Sequence, residues 1–133
     1  IKLALTEAKL GLIPATISPY VISKVGSSNG IDLFTSARTF YPSEAKNIGL
    51  IKSFCNEESI DNIINEEADS ILINGPSAVT ASKNLVRNLS SKIDENTVKF
   101  TVEALADVWE NPESIEGINA FFEKRKPNWI MEK

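Results

Sequence analysis

The sequence predicts a mostly helical chain with two short strands. Residues 59–73 repeat apolar side chains at helical spacing, and acidic side chains occupy the other faces of that helix. Residues 111–112 read Asn-Pro, a cap residue followed by proline, which favours the start of a helix. Short apolar stretches at residues 2–6 and 50–54 have the pattern of strands.

The composition is that of an ordinary folded protein with one modest domain. The chain has 133 residues, of which 42% are hydrophobic and 24% charged, with a net charge of -4. This charge gives no reason to expect nucleic-acid binding, and no apolar run is long enough to cross a bilayer. The chain has no histidine and a single cysteine, Cys55. This excludes a Ser-His or Cys-His pair and an internal disulfide, makes a metal site such as zinc improbable, and favours a reducing compartment.

The first half of the chain divides at its prolines and glycines. Pro19 lies inside an apolar repeat and predicts a kink or a restart of the helix there, and Gly49 predicts the end of a short helix. We expect Cys55 to be a buried, inert thiol after the second strand. The predicted elements are a strand at 2–6, a helix at 14–25, a loop at 26–30, a helical segment at 31–36, a helix at 43–48 and a strand at 50–54.

The second half is helical throughout. Asp94 predicts the cap of a helix that runs to Glu110. That helix carries apolar residues on two faces, which predicts burial on both sides, either in a core or against another subunit. The predicted helices are 59–73, 76–90, 94–110 and a last one beginning at Asn111-Pro112.

One stretch combines a carboxylate with turn-forming residues. Glu7 follows the first strand, Gly11 comes four residues later, and Pro14 follows after two more residues. This pattern resembles the segment that carries the second catalytic glutamate in the enoyl-CoA hydratase/isomerase (crotonase) superfamily. Residues 11–20 are similar to methylglutaconyl-CoA and carboxygeranoyl-CoA hydratase relatives, and Ala-Thr-Ile-Ser at 15–18 replaces the usual glycine-rich run.

Two further segments carry the same resemblance. Residues 35–51 resemble the family pattern Thr-Gly-x-Arg, Glu-Ala and Gly-Leu-Val, and Arg38 falls at its arginine. We interpret Arg38 as the partner of a carboxylate or carbonyl. Residues 116–127 closely resemble the C-terminal signature Glu-Gly-x-x-Ala-Phe-x-Glu-Lys-Arg-x-Pro.

The resemblance implies the C-terminal part of a crotonase (ClpP/crotonase-like α/β spiral) fold. The chain begins at Ile1, inside a predicted strand, so we expect it to be part of a longer protein. Residues 1–55 would close the crotonase core, and residues 56–133 would form the helical oligomerisation region. The family assembles as homotrimers or hexamers. It acts on acyl-CoA thioesters without a cofactor, since coenzyme A is part of the substrate. The implied compartment is the cytoplasm, or the mitochondrial matrix in a eukaryote.

The resemblance also implies the site residues. Glu7 would be one of two glutamates that flank a water, while the second glutamate and the oxyanion hole would lie upstream of this chain. Gly11, Phe121 and Lys124 would bind the substrate or its CoA, with Phe121 and Lys124 contacting the CoA of a neighbouring subunit. Taken without the resemblance, Glu7 reads as a solvated glutamate at a strand end, and residues 124–126 as a solubilising basic tail.

Three functions stay open. The first is hydration of a 2-enoyl-CoA, and the second is isomerisation, in which one glutamate moves a proton along the acyl chain. The third is a non-catalytic helical module that binds partner subunits and CoA. The aromatic residues Tyr20, Phe40, Trp109 and Trp129 could line an acyl pocket, although packing is the commoner role for such residues.

Overall fold

The computed structural model describes residues 1–90 and 93–130. The chain forms two compact units. The first contains residues 1–52 together with the described residues from Ile93 onward, and the second contains residues 53–90. These units describe packing within the chain, and the domain division at residue 55 stays a prediction.

The first unit begins with a two-stranded antiparallel ribbon. Strand β1 (Leu3–Ala4) pairs with strand β2 (Thr39–Phe40), with Leu3 opposite Phe40. Between them lie a 3-10 helix at Glu7–Leu10 and helix α1 (Ser18–Ser36). Helix α2 (Pro42–Asn47) follows β2. The buried side chains of Val21, Val25, Leu33, Phe40 and Ala45 form the core of this part.

Helix α1 differs from the sequence prediction at both ends of its first half. The predicted start at residue 14 is wrong, because residues 15–17 form a turn and the helix begins at Ser18. Pro19 stands in the first turn of α1, where a backbone N–H would have no intrahelical partner. Of the two predicted alternatives at Pro19, a kink or a restart of the helix, the structure shows a helix start and no kink. The break is at Gly26, whose φ of 75° favours glycine. The helix resumes at once, so the predicted loop at 26–30 is wrong.

The predicted strand at residues 50–54 is also wrong. Within the described residues, this segment pairs with no strand. The N–H groups of Leu50 and Ile51 donate instead to the carbonyl oxygen of Ala45, at 2.9 and 3.3 Å. Cys55, just beyond, is exposed rather than buried.

The second unit is a pair of amphipathic helices. A 3-10 turn at Glu57–Ser59 leads into α3 (Ile60–Leu72), and α4 (Pro76–Leu89) follows. The predictions of these helices at 59–73 and 76–90 are confirmed to within one residue at each end. Throughout the described part of the chain, no helix is long and apolar enough to span a bilayer.

The last two helices return to the first unit. Helix α5 (Glu95–Trp109) is capped by Asp94, whose carboxylate accepts a hydrogen bond from the Thr97 N–H at 2.9 Å. This bond also lowers the pKa of Asp94. Helix α6 (Pro112–Phe122) begins at Asn111, whose side chain accepts from the Glu113 N–H at 3.0 Å. Both predicted caps are therefore confirmed.

Candidate active site

The predicted catalytic carboxylate lies on a tight turn. The N–H of Leu12 donates to the Glu7 carbonyl at 3.0 Å, and the N–H of Gly11 donates to the Ala8 carbonyl at 3.2 Å. Gly11 closes the turn with φ 68°, a left-handed conformation that glycine adopts without steric cost. We call residues 7–11 the Glu7 turn. Its hydrogen bonds fix the backbone from which the Glu7 side chain extends.

The Glu7 carboxyl group faces an apolar cavity. Its Oε2 atom is buried, and within residues 1–90 and 93–130 no group donates a hydrogen bond to it. A buried acceptor without a donor costs about 1–3 kcal/mol. The cavity has a volume of about 310 Å³. Its walls are formed by Glu7, the chain from Leu12 to Ile17, Leu105 and Trp109.

A second cavity of about 490 Å³ adjoins the first. Thr16, Leu105 and Trp109 line both cavities. The second is walled mainly by Pro19 and Tyr20 of α1 and by apolar residues of α5, with Glu110 as its charged lining residue. Together the two cavities give an apolar space that leads away from the carboxyl group.

The four predicted aromatic residues separate into two groups. Tyr20 and Trp109 line the second cavity. Phe40 instead belongs to the core and is 2% exposed. Trp129 is 40% exposed and lines neither cavity. The structure therefore keeps two of the four as candidates for contact with an acyl group.

Helix α6 packs directly on the Glu7 turn through two glycines and a serine. A Cβ atom added to Gly11 would lie 2.7 Å from the carbonyl carbon of Glu113, and one added to Gly117 would lie 2.5 Å from that of Leu10. The Ser114 hydroxyl is fully buried and lies 2.7 Å from the Gly11 carbonyl oxygen. Gly11 thus has a packing role, while its predicted contact with substrate stays a prediction.

Sequence reasoning missed Ser114. A serine at the third position of a helix reads as an ordinary polar residue of the first turn. Its partner Gly11 is 103 residues away in sequence, and local patterns carry no signal for such a contact. The available hint of close helix packing was a small residue three positions before Gly117, the glycine of the C-terminal signature.

The end of α6 carries the two residues predicted to bind CoA. Phe121 is 65% exposed and packs edge-on against Phe122, with ring centroids 5.7 Å apart. Lys124 is exposed and adopts φ 54°. The N–H groups of Lys124 and Arg125 donate to the carbonyls of Phe121 and Ala120, at 3.2 and 3.0 Å. This is a Schellman motif, in which the position of Lys124 is usually occupied by glycine.

Arg125 is held by neighbouring carboxylates. It donates to both oxygens of Glu116, at 2.6 and 2.9 Å, and to Glu123 at 2.6 Å. The arginine and the N–H of Asn128 lower the pKa of Glu116 to about 2. These contacts fold the tail back along α6, so Arg125 has a structural role at the base of the segment that presents Lys124.

Arg38 also forms a structural network. It donates to Asp32 at 2.7 Å and makes a close bidentate contact with Glu44. Hydrogen bonding to Arg38 lowers the pKa of Glu44. The network ties the end of α1 to α2, and the predicted pairing of Arg38 with a carboxylate is confirmed.

The fold and the site together define a class of protein. An enoyl-CoA hydratase from Mycobacterium avium matches the structure with a TM-score of 0.82 at 29% sequence identity. The match covers 97% of this chain and 51% of the other chain. The predicted crotonase-like fold is therefore confirmed.

Sequence relatives lead to the same class. Enoyl-CoA hydratase EchA19 of Mycobacterium tuberculosis is 30% identical over 129 residues, which is 96% of this chain and 48% of that protein. A peroxisomal Delta(3,5)-Delta(2,4)-dienoyl-CoA isomerase of Arabidopsis thaliana is 30% identical over 108 residues, which is 80% of this chain and 39% of that protein.

The family model described as enoyl-CoA hydratase/isomerase matches residues 2–132. The chain belongs to the enoyl-CoA hydratase/isomerase family. It spans about half the length of the curated relatives it matches. The predicted superfamily is thus confirmed, while the closer resemblance to methylglutaconyl-CoA hydratases stays a prediction.

Proposed function

We propose that the protein carrying this chain hydrates 2-enoyl-CoA thioesters and that Glu7 is one of its proton-transferring groups. The observation that supports this most directly is the buried, unpartnered Oε2 of Glu7 beside an apolar cavity. A carboxylate in such a place can hold a water molecule and exchange a proton with it. The family of the chain supplies the reaction class.

Hydration adds the hydroxyl group and a hydrogen of water to the two carbons of the double bond. The water oxygen bonds to the β-carbon as one carboxylate accepts its proton, and a proton is delivered to the α-carbon. The negative charge that develops on the thioester oxygen needs backbone N–H donors. Of the described residues that line the first cavity, Glu7 alone has a carboxylate. The second proton-transfer group and the oxyanion hole therefore belong, in our proposal, to a part of the protein outside this chain.

We propose that Phe121 and Lys124 bind the CoA portion, with Gly11 near the thioester. Phe121 is exposed and can stack on the adenine ring, while the Lys124 ammonium can attract a phosphate. Phe121 follows Ser114 by seven residues on α6, which at 1.5 Å per residue separates them by about 10 Å along the helix. In this proposal the helix links the turn that bears the carboxylate of one site to the end that would meet the CoA of a neighbouring subunit.

The test compares Glu7→Gln with Glu103→Gln in the full-length protein, using crotonyl-CoA and following loss of the enoyl thioester absorbance. Glu103 is an exposed carboxylate on α5 and serves as the matched control. We expect Glu7→Gln to lower kcat by about 10²- to 10⁴-fold, the range for loss of a general acid or base. CoA affinity should stay near normal. An unchanged kcat in Glu7→Gln would remove Glu7 from the mechanism.

Isomerisation is the second candidate function, because one relative is named as a dienoyl-CoA isomerase. In that reaction one carboxylate would remove a proton from one carbon and return it to another. A 3-enoyl-CoA substrate separates the two activities. Conversion to the 2-enoyl isomer without uptake of water would favour isomerisation over hydration.

The acyl group is a finer part of the proposal. The Ala-Thr-Ile-Ser run at residues 15–18 supports a methylglutaconyl-type substrate. The second cavity is mainly apolar and carries Glu110, which would repel an acyl carboxylate bound beside it. Relative kcat/KM values for 3-methylglutaconyl-CoA and crotonyl-CoA decide between a carboxylated and an uncharged acyl group.

We also propose that the protein works as a homo-oligomer, a trimer or a hexamer. Val98, Phe100 and Val102 of α5 are each more than half exposed and lie on two faces of the helix, Val98 and Val102 on the face that lines the second cavity and Phe100 on the other. In water such exposed apolar surface favours contact with another surface. The alternative of a non-catalytic assembly module predicts the same oligomer without turnover. Sedimentation combined with the crotonyl-CoA assay distinguishes these two outcomes. The single thiol supports the cytoplasm, or the mitochondrial matrix of a eukaryote, as the compartment.

A further inference from the structure

We infer that Gly117 and Ser114 of α6 are positioning residues for Glu7. They hold the Glu7 turn at a fixed depth and angle, and so they set the direction of the carboxylate in the cavity. This inference rests on the proposed role of Glu7. It assigns a function to the first half of α6, which carries none of the residues predicted to touch the substrate.

The closest contact is between Gly117 and the backbone of Leu10. A Cβ on Gly117 would lie 2.5 Å from the Leu10 carbonyl carbon and 2.9 Å from its Cα. An ordinary contact begins near 3.4 Å. Alanine at this position would therefore displace the Glu7 turn from the helix by about 1 Å, because backbone cannot rotate away as a flexible side chain can.

Ser114 fixes the same turn by a hydrogen bond. Its hydroxyl lies 2.7 Å from the Gly11 carbonyl oxygen and 2.5 Å from the Val108 carbonyl oxygen. One buried hydroxyl is thus shared between the Glu7 turn and the end of α5. Gly11 completes the contact, since its missing side chain lets the turn approach the backbone of Glu113.

This three-way junction sets the shape of the first cavity. Glu7 extends from one side of the junction, while Leu105 and Trp109 of α5 form part of the facing wall. The Ser114 hydroxyl contacts both the Glu7 turn and the end of α5. In this inference, the distance from the carboxylate to the α5 side of the cavity therefore depends on Ser114. Reacting groups must be held within a fraction of an ångström, and a displacement of 1 Å can lower a rate by about 10²-fold.

The test uses Gly117→Ala and Ser114→Ala in the full-length protein with crotonyl-CoA. Gly30→Ala is the matched control for the glycine, because Gly30 is also a buried helical glycine and its added Cβ would meet only the Ile22 side chain, at 3.3 Å. Ser70→Ala is the control for the serine, since its hydroxyl also donates to a backbone carbonyl. We expect Gly117→Ala to lower kcat by about 10²-fold with a much smaller change in KM. Ser114→Ala should give a smaller loss in the same direction, and both controls should keep the wild-type kcat.

The same substitutions in a Glu7→Gln background separate positioning from general damage. If Gly117 acts through Glu7, adding Gly117→Ala to Glu7→Gln should cause little further loss of kcat. If the remaining rate of Glu7→Gln is too low for a further loss to be measured, the pH profile of kcat/KM of the single variant Gly117→Ala separates positioning from general damage. A misplaced carboxylate shifts the acidic limb of that profile, whereas loss of folded protein scales the whole curve.

Two outcomes overturn the inference without touching the proposed function. One is a normal kcat in both Gly117→Ala and Ser114→Ala while Glu7→Gln is inactive. The other is an equal fold-loss from Gly117→Ala with and without Glu7, or a pH profile of unchanged shape. A fully active Glu7→Gln would instead remove the proposed role of Glu7 and this inference with it. If Gly117→Ala does not fold, Ser114→Ala carries the same test.

Discussion

Replacing Lys124 by glycine should raise the stability of the protein and weaken its affinity for CoA. Lys124 has φ 54° at the end of α6. A residue with a Cβ pays roughly 1–2 kcal/mol for this left-handed conformation, and glycine avoids that penalty. Glycine also makes the unfolded chain more flexible, which takes back about 0.5–1 kcal/mol. The net expected gain in the free energy of unfolding is about 0.5–1 kcal/mol.

Lys124→Ala is the matched control for this prediction. It removes the ammonium group in the same way as glycine but keeps a Cβ, so the backbone penalty remains. Both variants should lose CoA affinity to a similar extent if Lys124 attracts a phosphate. Only Lys124→Gly should gain stability. Denaturant unfolding measures the stability of each variant, and calorimetric titration with CoA measures its affinity.

Two results would refute this reasoning in different places. Equal stability of the glycine and alanine variants would show that the penalty of the left-handed backbone at Lys124 is no larger than the loss of about 0.5–1 kcal/mol that glycine causes through the unfolded chain. Unchanged CoA affinity in both variants would remove Lys124 from the binding site. The pair of measurements therefore tests the conformation and the proposed contact separately.

Three further predictions concern the helices and their ion pairs. Asp94→Ala should lower the free energy of unfolding by about 1 kcal/mol because α5 loses its cap, and Asp107→Ala in the same helix should change it far less in the same denaturant titration. Glu116 has a folded pKa of about 2 against an ordinary value of 4.5, so its contribution to stability is present above pH 4.5 and is lost as the pH falls towards 2. Glu116→Gln should therefore flatten the acid limb of a stability–pH curve, and a curve of unchanged slope would contradict the pairing with Arg125. Arg38→Lys should lower the melting temperature, because a lysine cannot make the bidentate contact with Glu44. An equal melting temperature would show that a single positive charge at this position is enough.

The caps and helices could be predicted because their signals are local. Asp94 and the Asn111-Pro112 pair each stand within three residues of the groups they satisfy. The apolar spacing of residues 59–73 likewise depends on neighbours one or two turns away. The Glu7 turn and the C-terminal signature were predicted from a resemblance, and the same resemblance implied their chemistry.

The errors arose where composition and apolar pattern do not decide the backbone conformation. Residues 50–54 have the apolar character of a strand, but the N–H groups at their start bond to the end of α2. Residues 26–30 have the small, polar composition of a loop, yet the helix continues after Gly26, with Gly30 buried in it. The left-handed backbone at Lys124 could not be predicted, because this position of a helix C-terminus is usually recognised by a glycine.

The contact of Gly117 with the Glu7 turn has a consequence for how this sequence can change over time. A helix turns by about 100° with each added residue and advances by 1.5 Å. One residue inserted between Gly117 and Phe121 would swing the phenyl ring to another side of α6 while leaving the acid where it is. The phenyl ring would then miss the nucleotide of the neighbouring subunit, although the acid still served its own site. Length variation should therefore gather in the connections before α6 and spare its middle.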